Sequence, residues 1–234
     1  PPRLSVTRFS AFGDSITWGE DGTNPLSLPP RETATAYPRV RLTGREYPTI
    51  LQQELKARYT TQFAAISVTN DGVPGETAGA PATLVRFSNI VSSSDRQVML
   101  IMEGANDLTL YGAAGEQDAV DNLQKMIAAA KRSGLRPYLA TIPPENPNSA
   151  CVPICRGRAA ALVPGYNDRL RILATSQAIP LVDVFQAFRG DLTLLSTDGL
   201  HPNAAGYQRI ADAFFASLTS TLDTPTTVAP AFGP

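Results

Sequence analysis

Short runs of apolar residues alternate along the chain with longer stretches in which apolar residues recur every three or four positions. The short runs predict five strands, at residues 8–12, 65–69, 98–102, 137–141 and 179–184. Most of these runs are apolar on both faces, which is typical of parallel strands that are covered by helices on both sides. The pattern therefore predicts an α/β fold built on a parallel sheet.

The longer stretches predict the covering helices, because their apolar residues share one face at a helical period. A shorter helix is predicted within residues 80–91. Gly134 suits the C-terminal end of one helix, and Asn203 suits the N-cap of the last one. The four apolar faces, which we interpret as core, are Tyr47, Ile50, Leu51 and Leu55; Val120, Leu123, Ile127 and Ala130; Leu162, Tyr166, Leu170 and Leu173; and Ile210, Ala211, Phe214 and Leu218.

The length of the chain suits one domain. Its 234 residues, 43% of them hydrophobic, are enough for a single α/β core. We expect one catalytic domain over residues 1–222. Residues 223–234 are rich in Pro, Thr and Ala and are expected to form a tail.

Charge and hydropathy narrow the classes of partner. Lys and Arg total 20 and Asp and Glu total 21, so the basic excess of nucleic-acid-binding proteins is absent. A local cluster of Arg39, Arg41 and Arg45 is expected to be a solvated face rather than a phosphate site. No apolar run approaches the roughly 20 residues that cross a bilayer, so we expect no membrane span.

The two cysteines, Cys151 and Cys155 in the run CVPIC, predict a local disulfide that closes a loop. Two reduced thiols are the alternative, and half of a zinc site would lack further cysteine ligands. A start at Pro1 rather than Met fits a removed signal peptide and equally a trimmed chain. Together these features lead us to expect a secreted or periplasmic protein.

Candidate chemistry centres on a serine and the single histidine of the chain. Ser15 lies in the run AFGDSIT at residues 11–17, which predicts a strand, a tight turn and an exposed hydroxyl at the strand's tip. His201 lies three residues after Asp198 in the run DGLHPN. A serine needs a base to remove its proton, and imidazole suits that task near neutral pH. A structural histidine and a metal site are the alternatives, although no dense cluster of ligands supports a metal.

Two further runs follow predicted strands. The run NDGVPGET at residues 70–77 is glycine-rich, and the run GAND at residues 104–107 offers the side-chain amide of Asn106. Either could donate hydrogen bonds to the oxyanion of an acyl-transfer reaction, and each alone could be an ordinary turn.

The long connections 20–46 and 143–158 leave the carboxyl ends of strands. They are candidate pocket walls, or surface decoration.

Taken together, these runs resemble the SGNH hydrolases, also called GDSL-type esterases and lipases. The run GDSI at residues 13–16 resembles the first block, with Ile where the family name has Leu, and residues 70–77, 104–107 and 198–203 resemble the other blocks in order. The resemblance implies a flavodoxin-like three-layer α/β/α sandwich with a five-stranded parallel sheet. It also implies a serine ester hydrolase that needs no metal or organic cofactor.

The resemblance assigns a role to each candidate residue. Ser15 would be the nucleophile, His201 the base, and Asp198 the residue that orients the base. The oxyanion hole would be formed by the N–H groups of Ser15 and Gly75 and the amide of Asn106, with Gly72 as an alternative to Gly75. Two further acids, Asp14 and Asp107, are expected to hold loops.

The expected substrate is a small-molecule or carbohydrate ester. No long apolar segment suggests the lid of an interfacial lipase, so we favour short-chain acyl esters. An O-acetyl ester of a carbohydrate is one alternative, and an acyltransferase or a non-catalytic binding module on the same fold is another. Trp18, Tyr111 and Phe188 could line the pocket or could equally be packing residues.

Overall fold

The computed structural model of the protein describes residues 1–23, 39–93, 95–149 and 156–224. Its main sheet has five strands: β2 (Arg8–Gly13), β3 (Ser67–Gly72), β4 (Val98–Met102), β5 (Arg136–Ala140) and β6 (Leu181–Val182). They are all parallel and lie in the order β3-β2-β4-β5-β6. The predicted flavodoxin-like α/β fold is confirmed, because this is the 2-1-3-4-5 order of that fold.

A second, two-stranded sheet joins the two ends of the described chain. Strand β1 (Arg3–Leu4) pairs antiparallel with β7 (Asp223–Thr224). Two residues of the predicted tail thus belong to a sheet, while residues 225–234 lie outside the described part of the chain. Cys151 and Cys155, the predicted disulfide pair, also lie outside it.

Helices connect the strands and cover the main sheet. The five predicted helices are present, and three short helices that the periodicity did not reveal follow β2, β4 and β6. Among the helices of the described residues, none is long and apolar enough to cross a membrane. The helices are α1 (Ser15–Trp18), α2 (Tyr47–Arg58), α3 (Pro81–Ser93), α4 (Ala105–Tyr111), α5 (Ala113–Arg132), α6 (Val163–Ser176), α7 (Val184–Phe188) and α8 (Ala204–Leu222).

The core lies in two layers, one on each face of the sheet. Helix α2 packs against α8, while α5 packs against α3 and α6. In one layer, Tyr47 stacks on Phe214 with ring centroids 5.0 Å apart. In the other, Phe12 meets Phe87 edge to face at 4.9 Å. All five residues of β4 are buried, which explains why this central strand is apolar on both faces.

The strand order brings three of the predicted runs to one edge of the sheet. Gly13, the last residue of β2, pairs with Gly72 in β3 and with Met102 in β4. The chain segments that follow these strands therefore leave the sheet side by side. The strand order reverses between β2 and β4, and open α/β sheets bind ligands at the carboxyl ends of strands at such a point.

Candidate active site

Ser15 is the first residue of α1, directly beyond the end of β2. The carboxylate of Asp14 accepts a hydrogen bond from the Ile16 N–H at 2.8 Å and so caps the helix. A Cβ on Gly13 would collide with the Thr17 side chain, so glycine allows α1 to fold back on the strand. The expectation of an exposed hydroxyl was wrong. Ser15 is only 3% exposed, because the chain turns at once into α1 and His201 covers the hydroxyl.

The side chains of Ser15, His201 and Asp198 form one continuous chain of contacts. Ser15 Oγ lies 2.7 Å from His201 Nε2, and His201 Nδ1 lies 2.6 Å from Asp198 Oδ2. A carboxylate can only accept, so Nδ1 carries the proton and Nε2 presents its lone pair to the serine hydroxyl. This tautomer can accept a proton from Ser15.

The run that carries Asp198 and His201 is folded so that both side chains point the same way. Asp198 Oδ1 accepts from the backbone N–H groups of Leu200 and His201, each at 3.0 Å. Gly199 takes a positive φ of 77° inside this turn, which favours glycine. Asn203 then caps α8, as predicted, by accepting from the first backbone N–H groups of that helix.

The charge of Asp198 is stabilised by the same contacts. Burial raises the pKa of this carboxyl, whereas the hydrogen bond and charge of His201 lower it. The backbone N–H groups of Leu200 and His201 act in the same direction, so the pKa lies below its ordinary value. Asp198 is therefore ionised at neutral pH and can stabilise a protonated imidazole.

The backbone N–H groups of Ser15 and Gly75 donate to no acceptor within the described parts of the chain. Gly75 has a positive φ of 81°, a conformation that glycine adopts without strain. Gly72, the alternative, donates its N–H to Asn70 Oδ1 at 3.0 Å and packs tightly against Trp18. The geometry therefore favours Gly75 over Gly72 as a hydrogen-bond donor to a ligand.

Asn106 lies in the first turn of α4, beside this segment. Its Nδ2 donates to the Glu76 carbonyl at 2.8 Å and lies 3.5 Å from Asp14 Oδ2. Asp107, the next residue, accepts from the N–H groups of Ala78 and Gly79 at 2.8 Å each. The expectation that Asp14 and Asp107 hold local structure is confirmed.

Two buried carboxyl groups near the serine, those of Asp14 and Glu103, interact electrostatically with each other. Burial raises the pKa of Asp14 to about 7, against the opposing Ile16 N–H. Burial also raises the pKa of Glu103 well above its usual value, and the carboxyls of Asp14 and Glu76 reinforce this shift. A protonated Glu103 adds no negative charge near the site, which would otherwise oppose an oxyanion.

Glu20, which none of the sequence motifs contains, has its Oε2 3.7 Å from His201 Nε2. Arg39 and Arg156 form ion pairs with its carboxylate, at 2.5 and 2.6 Å. The arginine cluster was expected to be a solvated face, and Arg39 and Arg45 are exposed while Arg41 is half-buried. Ion pairs were not expected there, yet Arg39 pairs with Glu20 and Arg41 with buried Glu46. The nearness of Glu20 to Ser15 in sequence was the one signal available.

The three candidate pocket residues have different positions. Phe188 is fully buried in the core, and Trp18 is half-buried with the Arg41 guanidinium 5.7 Å from its ring. Tyr111 is exposed and lines a cavity of about 380 Å³ that also contacts Thr77 and Asp107.

Across the described residues, no group of three or more His, Cys, Asp or Glu side chains is arranged to hold a metal ion.

Comparison with protein families matches residues 11–209 to the GDSL-like Lipase/Acylhydrolase family. Comparison with curated proteins found no match. Among solved structures, LAE5, an alpha/beta hydrolase enzyme from the metagenome of Lake Arreo, is similar at 25% identity and TM-score 0.68, over 92% of this chain and 96% of that one.

Two further solved structures share the fold at lower identity. The aryl esterase of M. smegmatis is 18% identical with a TM-score of 0.71, over 93% of this chain and all of that one. Est24, a carbohydrate acetylesterase of Sinorhizobium meliloti, is 16% identical with a TM-score of 0.70, over 92% and 99% of the two chains. With the family match extending over most of the sequence, the protein belongs to the GDSL-like lipase/acylhydrolase family, as the motifs indicated, and is a carboxylic ester hydrolase.

Proposed function

We propose that the protein hydrolyses short-chain acyl esters in two steps, through an acyl-enzyme formed on Ser15. The observation that carries the proposal is the unbroken path from the Ser15 hydroxyl through His201 to Asp198, with distances of 2.7 and 2.6 Å. A nucleophile, a base and a residue that orients the base are the three parts that this chemistry requires.

In the first step, Ser15 Oγ attacks the acyl carbon of the ester while His201 Nε2 accepts the hydroxyl proton. Asp198 stabilises the imidazolium that forms. The developing oxyanion accepts hydrogen bonds from the N–H groups of Ser15 and Gly75 and from the Asn106 amide. The C–O bond of the ester then breaks, and the Nε2 proton passes to the leaving alcohol oxygen.

In the second step, water takes the place of the alcohol. His201 Nε2 accepts a proton from the water as its oxygen attacks the acyl carbon. The bond to Ser15 Oγ breaks, the serine regains its proton, and the carboxylic acid leaves. Because only the neutral imidazole accepts a proton, we expect activity to fall at acid pH.

The preference for short acyl groups is supported by the distribution of apolar residues. No apolar run is longer than five residues, and the most hydrophobic of them, residues 98–102, forms the buried strand β4 rather than a surface segment. An O-acetyl ester of a carbohydrate is the second candidate, favoured by the similarity to Est24, which is described as a carbohydrate acetylesterase. Both substrates use the same acyl chemistry, and they differ in the alcohol.

A serine-reactive phosphonate probe tests the proposal, followed by a series of esters with acyl chains of increasing length. We expect stoichiometric labelling at Ser15, with turnover greatest for the short chains. Ser15→Ala should abolish labelling and lower turnover by about a thousandfold or more. Ser10→Ala is the matched control, since Ser10 is a buried serine of β2 that bonds Asp71 instead. Unlabelled Ser15 would refute the mechanism, and a peak at long chains would refute the substrate class.

A further inference from the structure

Glu20 is held against the Ser15–His201 pair from several sides. Its side chain is buried, and Oε2 lies 3.7 Å from His201 Nε2. Its backbone N–H donates to the Ser15 carbonyl at 2.9 Å. Its carbonyl accepts from the Tyr207 hydroxyl of α8 at 2.7 Å. Glu20 therefore contacts three parts of the site: the chain at Ser15, the loop that carries His201, and helix α8.

Two arginines occupy the two oxygens of the Glu20 carboxylate. Arg39 donates to Oε2 at 2.5 Å, and Arg156 donates to Oε1 at 2.6 Å. Arg156 also donates its backbone N–H to the Asp198 carbonyl at 3.0 Å. Arg39 Nη2 lies 3.2 Å from the position that a Cβ would take on Gly75. The ion pairs therefore link Glu20 to the segments that carry Asp198 and the Gly75 N–H.

The contact between Glu20 and His201 is electrostatic. A separation of 3.7 Å is too long for a hydrogen bond, yet short enough for strong attraction between a carboxylate and an imidazolium in a buried site. Burial raises the pKa of Glu20, but the charges of His201, Arg156 and Arg39 together outweigh burial and keep the pKa below its ordinary value. Glu20 is therefore ionised at neutral pH.

We propose that Glu20 is a positioning residue for His201 that stabilises the imidazolium formed when Ser15 gives up its proton. The two arginines hold the carboxylate back from Nε2, so the Nε2 proton stays free for the leaving group. This inference rests on the proposed esterase function and adds to it a second carboxylate on the opposite side of the imidazole from Asp198.

Other charged groups also face the His201 ring. Asp198 contacts Nδ1, while Asp14 at the start of α1 and Glu145 in the segment after β5 interact with His201 electrostatically. Burial raises the pKa of both Asp14 and Glu145 to about 7, so they are largely protonated in the acid range. Asp198 and Glu20 therefore supply most of the negative charge there.

The single histidine of the chain allows a direct test, because its ring signals in a nitrogen-15 NMR titration need no assignment. In Glu20→Gln we expect the midpoint of the His201 titration to fall by about one pH unit or more. In Arg39→Gln it should rise, because the carboxylate loses a neutralising partner. A merely structural role for Glu20 would not produce shifts of opposite sign.

Glu46→Gln is the matched control. Glu46 is as buried as Glu20, each 4% exposed, and pairs with Arg41 at 2.9 Å. The structure gives it no ion pair with His201 among the described residues. In Glu46→Gln, the midpoint of the His201 titration should match that of the wild type. An equal shift in both variants, or no shift in Glu20→Gln while it remains folded by circular dichroism, would overturn the inference.

Kinetics provide a second readout. In Glu20→Gln the acidic limb of the kcat/KM profile should move to lower pH, and kcat should fall about tenfold with KM little changed. If wild-type Ser15 does not react with the phosphonate, the proposed function fails, and the NMR titration still measures the Glu20 effect. If labelling and turnover are normal while Glu20→Gln titrates like the wild type, the Glu20 inference alone fails.

Discussion

Gly22 packs directly against the carboxylate of Asp198. A Cβ on Gly22 would lie 2.6 Å from Asp198 Cγ, far inside van der Waals contact. The Gly22 carbonyl also accepts the Asp198 backbone N–H at 3.2 Å. The segment that follows Ser15 thus forms the support for the acid that orients His201, so the two distant parts of the site hold each other in place.

Gly22→Ala should therefore damage activity more than stability. The added methyl group displaces the Asp198 carboxylate and turns the His201 ring away from Ser15, which we expect to lower kcat about a hundredfold. Gly165→Ala is the control, because Gly165 lies in α6 with open space around its Cα. That variant should keep full activity and gain slightly in melting temperature. Equal ester turnover in the two variants would contradict the proposed support.

The parts of the site that sequence predicts are those encoded in local runs. Short motifs at the ends of strands or the starts of helices contain Ser15, Asn106 and His201. The spacing within each motif and its turn-forming residues therefore identify them. Glu20 and Gly22 are not predictable in this way. Their partners are His201 and Asp198, nearly a whole chain away, and only the fold brings them together.

The same limit explains the differences in the fold. The strands and long helices were predicted because burial imposes a period on many residues at once. Helix α1 has four residues and α7 has five, too few to show a helical period. The ion pairs of the arginine cluster were not predicted, because its buried carboxylate partners, Glu20 and Glu46, do not share a sequence pattern with it.

Asp198→Asn tests the orientation of the imidazole. Asn can keep one oxygen toward the Leu200 and His201 N–H groups, but its NH2 would then face Nδ1 and favour the wrong tautomer. We expect kcat to fall by about a thousandfold or more, with the fold retained. Asp191→Asn is the control, since Asp191 caps an exposed turn by accepting from Thr193. Phosphonate labelling rates should show the same contrast, and similar rates in both variants would exclude the role.

Asn106→Ala tests the proposed oxyanion donor. Loss of one donor that acts in the transition state should lower kcat about a hundredfold or more and change KM little. Asn122→Ala is the control, because the Asn122 amide donates to the Ala78 and Gly79 carbonyls at 3.0 Å each. It should lower the melting temperature and leave kcat near the wild-type value. A rise in KM with kcat unchanged in Asn106→Ala would contradict the assignment.

The buried carboxyl of Glu145 should make the stability of the protein depend on pH. Its Oε2 accepts from the Ala159 N–H at 2.8 Å, while Oε1 is buried without a hydrogen-bond partner among the described residues. Burial raises the pKa of Glu145 from 4.5 to about 7. Between these two pH values the folded chain holds a proton that the unfolded chain has lost. The free energy of unfolding therefore falls as pH rises through this window, and the full penalty is present above it.

Glu145→Gln removes that penalty, so its melting temperature should exceed that of the wild type by roughly 5 °C at pH 8 and differ little at pH 4.5. Asp183→Asn is a control of opposite sign. Burial raises the pKa of Asp183, but Arg171 and the Gln186 N–H outweigh it and keep the pKa low, so the charge stabilises the fold. Asp183→Asn should lower the melting temperature at both of these pH values and have less effect at pH 3, where the carboxyl is protonated in the unfolded chain. If Glu145→Gln raised the melting temperature equally at pH 4.5 and pH 8, the gain in stability would come from packing rather than from the removed charge.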